Sequence, residues 1–173
     1  MKSLFLILYY SIFRWLPSSY SHFGGGKIGL VLRRWACKHI FEYCGENVNI
    51  ERGAKFGSGR GVRIGDGSGI GINCDIPSNI HIGKYVMMGP NCVILHNNHN
   101  FERTDVPMQQ QGFSEIKQVI IEDDCWIGCN VIMTPGRIVR KGSIIGAGCV
   151  LTKDYPEYSI VGGNPGRLIK SRL

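Results

Sequence analysis

Residues 119–151 run VIIEDDCWIGCNVIMTPGRIVRKGSIIGAGCVL, with Ile121, Ile127, Met133, Val139, Ile145 and Leu151 at steps of six. That step is neither the 3.6 of an amphipathic helix nor the alternation of one long strand. A large aliphatic followed by a glycine, as at Gly128 and Gly146, suits a two- or three-residue strand that turns a corner. Working upstream, the same step places Ile64, Ile70, Ile76, Ile82, Met88 and Ile94, with Gly65, Gly71, Gly83 and Gly89 behind four of them. This is the hexapeptide repeat of a parallel β-helix, and it makes the chain mainly β.

Strand alternation assigns the neighbouring columns. Two residues before each aliphatic, also facing inward, stand Val62, Ser68, Cys74, Ile80, Val86 and Cys92, then Val119, Cys125, Val131, Arg137, Ser143 and Cys149. Apart from Ile80 and Arg137 these side chains are small or medium, as a narrow prism requires. Four of the seven cysteines fall in this column, where free Cys acts as a small buried hydrophobe. One residue before each aliphatic, facing outward, the later block reads Ile120, Trp126, Ile132, Ile138, Ile144 and Val150, all apolar. The earlier block is mixed: Arg63, Gly69, Asp75, His81, Met87, Val93. Six outward apolar groups on a soluble prism predict a covering neighbour, and a three-sided prism makes a homotrimer natural.

The first 45 residues differ in kind. Before Asn47 there are six Leu, four Ile and one Val; from Val48 onward there are 18 Ile, 10 Val and four Leu. Leu with Trp, Lys and Arg suits helices, β-branched residues suit strands. The expected organisation is a helical region, 1–45, with helices over 3–16 and 28–43, followed by a β-helix domain with a C-terminal tail, 46–173. Gly24-Gly25-Gly26-Lys27 lacks the spacing and the Ser/Thr of a phosphate loop and reads as a linker. The apolar run Leu4–Leu16 is interrupted by Arg14 and too short to span a bilayer. No small-x-small cleavage site follows it. It reads as a packing helix, with a peripheral membrane contact left open.

The 173 residues carry 20 Lys+Arg against 13 Asp+Glu, with 24 glycines and three alanines (Ala36, Ala54, Ala147). One domain of this size is the default. The glycines have no collagen period, the scarcity of Ala argues against a helical bundle, and 43% hydrophobic residues are too many for a disordered chain. The cysteines form no CxxC pair and no zinc-finger spacing, so they read as free thiols of a cytoplasmic protein, with no metal expected. The positive charge is spread and not interleaved with aromatics, which excludes a nucleic-acid binder.

Between Ile94 and Ile121 the repeat fails. A polar loop, about 95–118, is extruded there, opening on His96-Asn97-Asn98-His99-Asn100-Phe101. Loops ejected from rigid scaffolds carry recognition, and His is the side chain that exchanges protons near neutral pH.

Ile82-Gly83 through His99-Asn100-Phe101, then IEDDCWIG over 121–128, Gly146 to Asp154, and Val161-Gly162-Gly163-Asn164-Pro165 resemble the hexapeptide-repeat O-acetyltransferases. The galactoside/maltose acetyltransferase branch and the neighbouring capsule, exopolysaccharide and colanic-acid acetyltransferases are the most similar. The likeness covers about 45–170. It implies a single-stranded left-handed parallel β-helix, an exception to the right-handed crossover rule. It also implies acetyl-CoA as co-substrate and a sugar or glycan acceptor, probed in sites between subunits of a trimer. The family's catalytic histidine matches His99, as general base in direct transfer. Its oxyanion donor, a backbone N–H, matches Cys129. Trp126, Ala147, Thr152, Lys153, Arg167 and Lys170 match its coenzyme A groove, each with a plainer reading as an oligomer contact or solvated surface. Asn73, Asp75 and His96 are weaker candidates for the acceptor, and His96 is the second choice as base. Glu122 and Arg140 stand where the family has Gly, and Cys129 where it has a small residue. The implied setting is the synthesis of a cell-surface polysaccharide, in the cytoplasm or at the inner face of the membrane.

Two other readings compete. A γ-class carbonic anhydrase would hold zinc on three histidines, and His81, His96 and His99 are available, but at the wrong spacing. A non-catalytic β-helix scaffold would leave the His99 region and the Gly-Asn-Pro ending without a purpose.

Overall fold

The computed structural model describes residues 2–21 and 25–173. Helix α1 (Lys2–Ser11) is followed by a 3-10 turn, Phe13–Trp15, and by α2 (Gly25–Ile40). Fifteen short strands then wind the rest of the chain: β1 (Tyr43–Cys44), β2 (Asn49–Ile50), β3 (Arg63–Ile64), β4 (Gly69–Ile70), β5 (His81–Ile82), β6 (Met87–Met88), β7 (Val93–Ile94), β8 (Ile120–Ile121), β9 (Trp126–Ile127), β10 (Ile132–Met133), β11 (Ile138–Val139), β12 (Ile144–Ile145), β13 (Val150–Leu151), β14 (Ser159–Gly162) and β15 (Arg167–Ser171).

Successive strands lie on three faces of a prism. The first face stacks β1-β3-β5-β8-β11 and the second β6-β9-β12-β14-β15, with β2-β4 beneath β6. The third stacks β7-β10-β13, extended below by the bridges Lys55↔Asp75 and Asp75↔Val93. Every pairing is parallel except β14 with β15. Ile120 pairs with Ile138, 18 positions on, whereas His81 pairs with Ile120, 39 positions on. The difference is the extruded loop, inserted without disturbing the register of the coils around it.

All twelve hexad aliphatics are buried, and eleven of the twelve residues two positions before them are buried too. Each such side chain contributes about 1.5–3 kcal/mol of hydrophobic burial when fully enclosed. The twelfth is Arg137. Its guanidinium donates to the carbonyl of Thr152 (3.1 Å) and pairs with Asp154 (3.3 Å), whose carboxylate also accepts the Ile138 N–H at 3.0 Å. The coil above has ended there, so the long side chain reaches the Thr152–Asp154 segment where a further strand would stand.

The helices sit on one end of the prism and share its core through Tyr9, Ala36, Cys37 and Ile40. The phenol of Tyr9 donates to the Ala54 carbonyl (3.0 Å). Their bounds differ from the expected 3–16 and 28–43. A short turn ends the first helix region, and the second starts earlier and stops at Ile40, because Tyr43–Cys44 already pairs with β3. Gly24 lies outside the described residues. Gly25, Gly26 and Lys27 form the first turn of α2 and are not a linker. A Cβ on Gly26 would run into the Ser18 carbonyl and one on Gly29 would sit 2.6 Å from the Pro17 carbonyl, so glycine there lets α2 lie against the preceding segment. Arg33, fully buried, donates to the carbonyls of Leu16 (3.0 Å), Pro17 (3.2 Å) and Ile50 (2.6 Å), and faces Glu51 at 3.9 Å.

Candidate active site

Residues at the corner between the second and third faces follow directly from the coil geometry. Gly89, Gly128 and Gly146 stack there. A Cβ on Gly89 would lie 2.7 Å from the Cys129 nitrogen, and one on Gly128 would lie 2.5 Å from the Ala147 nitrogen. Glycine lets the corners nest, and nesting brings Cys129 and Ala147 into one column. The Cys129 carbonyl accepts the Gly148 N–H at 2.9 Å, while among the described residues its own N–H has no acceptor. Asn73, Asn91 and Asn130 occupy the same corner at positive φ of 55–58°, which Asn tolerates better than most residues.

Trp126 leads onto this corner from the second face. It is 51% exposed, beside Met87 at 61%, and the register continues the outward column through Ile144 and Ile160 to Lys170. On the third face the outward column is Val93, Ile132 and Val150. Thr152 and Lys153 follow β13; both are exposed, and the Lys153 ammonium lies 5.4 Å from the Tyr155 ring centroid. Arg167 is exposed on β15, opposite Gly162. Trp126, Cys129, Ala147 and Lys170 therefore border one ridge, whereas Thr152 and Lys153 lie past β13, at the corner between the third and first faces, beside Arg137.

The extruded loop leaves from β7 as an antiparallel ribbon. Lys117 donates to the His96 carbonyl (2.7 Å), Ser114 to that of Asn98 (2.8 Å), and the Asn100 N–H to that of Gly112 (3.0 Å). His99 pairs with Phe113 across the ribbon, and its exposed imidazole has no hydrogen-bond partner among the described residues. The ring lies against Phe113, centroids 4.3 Å apart. The Asn100 amide donates to the carbonyls of Gln111 (3.1 Å) and Phe113 (3.2 Å), clamping both arms beside His99. Phe113 and Asn100 were not singled out by the sequence, because nothing in a polar loop announces which residues will lie opposite each other.

Asp75 and His96 line one concavity of about 280 Å³ with Pro77, Ser78 and Val93. Asp75 pairs with Lys55 at 3.4 Å. Asn73 stands apart at the corner. No hydrogen bond among the described residues joins the His99 imidazole to the Trp126–Cys129 ridge of its own chain. A larger concavity, about 480 Å³, lies elsewhere, on the first face among Tyr43, Arg63, His81, Lys84 and Lys141. His81 there contacts Gln118 (3.1 Å), and burial followed by the Arg63 charge lowers its pKa. His81 thus stands on another face, separate from the cavity of His96. No group of three His, Cys, Asp or Glu able to hold a metal occurs among the described residues.

The thiols behind the ridge are chemically quiet. Burial pushes Cys125 up to about 11 and also raises Cys149. Glu122 and Arg140 form an ion pair at 2.9 Å across neighbouring coils.

The family profile described as the hexapeptide repeat of succinyl-transferase matches residues 118–153. A galactoside O-acetyltransferase of Lactococcus lactis is 35% identical over 134 residues, covering 74% of this chain and 62% of that protein. A maltose O-acetyltransferase of Clostridium difficile superposes with a TM-score of 0.77 at 26% identity, covering 98% of this chain and 85% of that one. In its repeat and in its fold the chain is similar to the hexapeptide-repeat acetyltransferases. A second solved member, a hexapeptide-repeat acetyltransferase of Vibrio cholerae, gives a TM-score of 0.75 at 27% identity, covering 83% of this hexapeptide-repeat chain and 81% of the other. The chain spans about three fifths of the length of the curated relatives it matches. No helix among the described residues is long and apolar enough to cross a membrane.

Proposed function

We propose that this chain is an acetyl-CoA-dependent O-acetyltransferase acting on a sugar hydroxyl, of a cell-surface polysaccharide or its precursor, in the cytoplasm beside the membrane. The observation that carries the reading is the division of labour in the fold. His99 is borne outward on a ribbon clamped by Asn100, while the unbonded Cys129 N–H and Trp126 border a ridge on the coils. A homotrimer reunites them: the ribbon of one protomer reaches the ridge of the next. The exposed columns Met87–Trp126 and Val93–Ile132 supply the apolar surface that such an assembly buries. The names of the galactoside and maltose O-acetyltransferase relatives support the reaction type.

In this mechanism the sugar hydroxyl hydrogen-bonds to the His99 imidazole, which accepts its proton as the oxygen attacks the thioester carbonyl. The Cys129 N–H donates to the oxyanion of the tetrahedral intermediate. Collapse breaks the carbon–sulfur bond, and His99 returns the proton to the departing thiolate. No covalent acyl-enzyme forms, in keeping with the burial of Cys125 and Cys149 and with the backbone role given to the half-buried Cys129. Trp126, Ala147, Thr152 and Lys153 line the pantetheine path, and Arg167 and Lys170 attract the phosphates. Asp75 and His96 orient the acceptor from the concavity they share, and Asn73, at the corner, stays outside it.

The test is release of free thiol from acetyl-CoA across a panel of sugar acceptors, with the oligomeric state measured in parallel. A His99→Ala variant that remains trimeric yet keeps full activity would defeat the mechanism.

A further inference from the structure

We infer that α1 and α2 together form a docking surface for a bilayer of anionic phospholipids, on which the protein lies without spanning it. The inference concerns where the protein works, and it stands whether or not the chain transfers acetyl groups.

It starts from a charge count. Lys2, Arg14, Lys27, Arg33, Arg34 and Lys38 precede the first acidic residue, Glu42. With Glu42 set against these six, the first 43 residues carry a net +5 of the chain's +7, so the charge is concentrated at this end and not spread evenly as expected. Arg33 is consumed in the interior by Glu51, which leaves the other five on or near the helical surface.

The same segment exposes its apolar side. Tyr9, Ala36, Cys37 and Ile40 anchor the helices to the prism. On the opposite side of α1 stand Leu4 and Ile7, and on α2 stand Ile28, Val31 and Trp35 at the i, i+3, i+7 spacing of one helical face; all are 46–63% exposed. Trp35 packs edge-on against Phe5 at 4.9 Å and reaches Phe13 at 6.3 Å, so the two stripes join into one patch. Trp15, 56% exposed, carries the Arg14 guanidinium 4.6 Å from its ring. Two exposed tryptophans at the edge of an apolar patch with cations around it suit the boundary between headgroups and acyl chains.

The occupant follows from the charge. A second copy docked on the same patch would set these cations against their own equivalents, a repulsive pairing with only Glu46, already beside Lys38, to relieve it. An anionic bilayer accepts both parts at once: Ile7 and Val31 below the headgroups, Lys2 and Lys27 among the phosphates. Lys38 pairs with Glu46 at 2.8 Å, an exposed contact worth at most about 1 kcal/mol, so it is free to exchange partners. Each juxtamembrane cation adds about 1 kcal/mol near an anionic surface, roughly a fivefold change in partitioning.

Flotation of the full-length protein with phosphatidylcholine vesicles, with and without about one third phosphatidylglycerol, tests this. The protein is expected to float with the anionic vesicles at least about tenfold more strongly, and to be released when salt rises to about 0.5 M. Ile7→Glu/Val31→Glu is expected to abolish flotation while helicity, oligomeric state and acetyl transfer to a soluble acceptor stay unchanged. Lys2→Gln/Lys27→Gln is expected to weaken it and flatten its salt dependence. Should the double Glu variant misfold, quenching of wild-type tryptophan fluorescence by brominated lipid decides the question. Absence of binding to anionic vesicles, or equal binding by the Glu variant, overturns the inference. A change of oligomeric state in the Glu variant, without vesicle binding by wild type, assigns the patch to a second copy and overturns it as well.

Discussion

The imidazole of His99 rests against the ring of Phe113 at 4.3 Å between centroids, with the planes tilted by 33°. The contact spans the two arms of the extruded ribbon, and the Asn100 amide ties the same arms together at two carbonyls. Both devices restrict the imidazole without using its nitrogens, which stay available for proton transfer. A base so placed gains from orientation as well as basicity.

His99→Ala is expected to lower acetyl transfer by about 10²–10⁴-fold, the usual contribution of a positioned base. Phe113→Ala removes only the support, so about a tenfold fall in kcat with little change in KM for acetyl-CoA is expected. Steady-state kinetics distinguish them; equal losses in kcat for both variants would contradict the separate roles.

Burial works against the charge of Glu51, and hydrogen bonds from Ser19 and Asn49 together with Arg33 overcome it, holding its pKa below the usual carboxylate value. Its folded pKa is depressed, so its stabilisation is present at neutral pH and is lost as pH falls through the folded value. Glu51→Gln should be less stable than wild type at pH 7, and the gap should close on acidification below about pH 4. Arg33→Met strips a donor from the carbonyls of Phe13, Leu16, Pro17 and Ile50 and leaves Glu51 uncompensated, costing about 3–5 kcal/mol. Denaturant melts at pH 7 and pH 3.5 measure both; a Glu51→Gln gap that widens in acid would reverse the sign argued here.

Cys44 and Cys129 are half-buried and the other five cysteines are buried. Burial pushes the Cys44 thiol up to about 11, and the thiolate is the reactive form. Iodoacetamide near pH 8 should therefore label Cys129 first, as peptide mapping would reveal. Cys129→Ala should lose that label and keep its activity, since the proposed donor is the backbone N–H. Loss of activity by more than about a hundredfold in Cys129→Ala would implicate the thiol instead.

Gly71 and Gly148 separate two reasons for glycine. A Cβ on Gly71 would strike the carbonyl of Gly89 and approach that of Met88 to 2.6 Å, both backbone atoms of the next coil. Gly148 has φ +71° and nothing within 4 Å of a built Cβ. Gly71→Ala should cost about 3 kcal/mol or more, and Gly148→Ala only the 1–2 kcal/mol or so of a left-handed residue. Thermal melts of the two variants decide; equal losses would mean that the coils move apart at small expense.

The prism was legible because its periodicity is covalent: every sixth side chain faces inward as long as each coil repeats, so Ile64 and Leu151 obey the same rule without knowledge of their neighbours. Arg137 looked like a violation because the rule is local, and only the end of the stack shows the Thr152–Asp154 segment waiting for it. Gly25 and Gly26 looked like a linker because glycine signals either freedom or close approach, and the atom approached, the Ser18 carbonyl, belongs to another segment. The α1–α2 patch was half visible: the apolar run was plain, but its union with the second stripe depends on Trp35 meeting Phe5.

From sequence alone came the coil, its inward columns, the interruption and the histidine at its start, all consequences of a short repeat. The three-dimensional arrangement alone decided which corners nest, what clamps the ribbon, and which helix faces are left without cover. These depend on residues that are distant along the chain and adjacent in space, and no periodicity encodes such meetings.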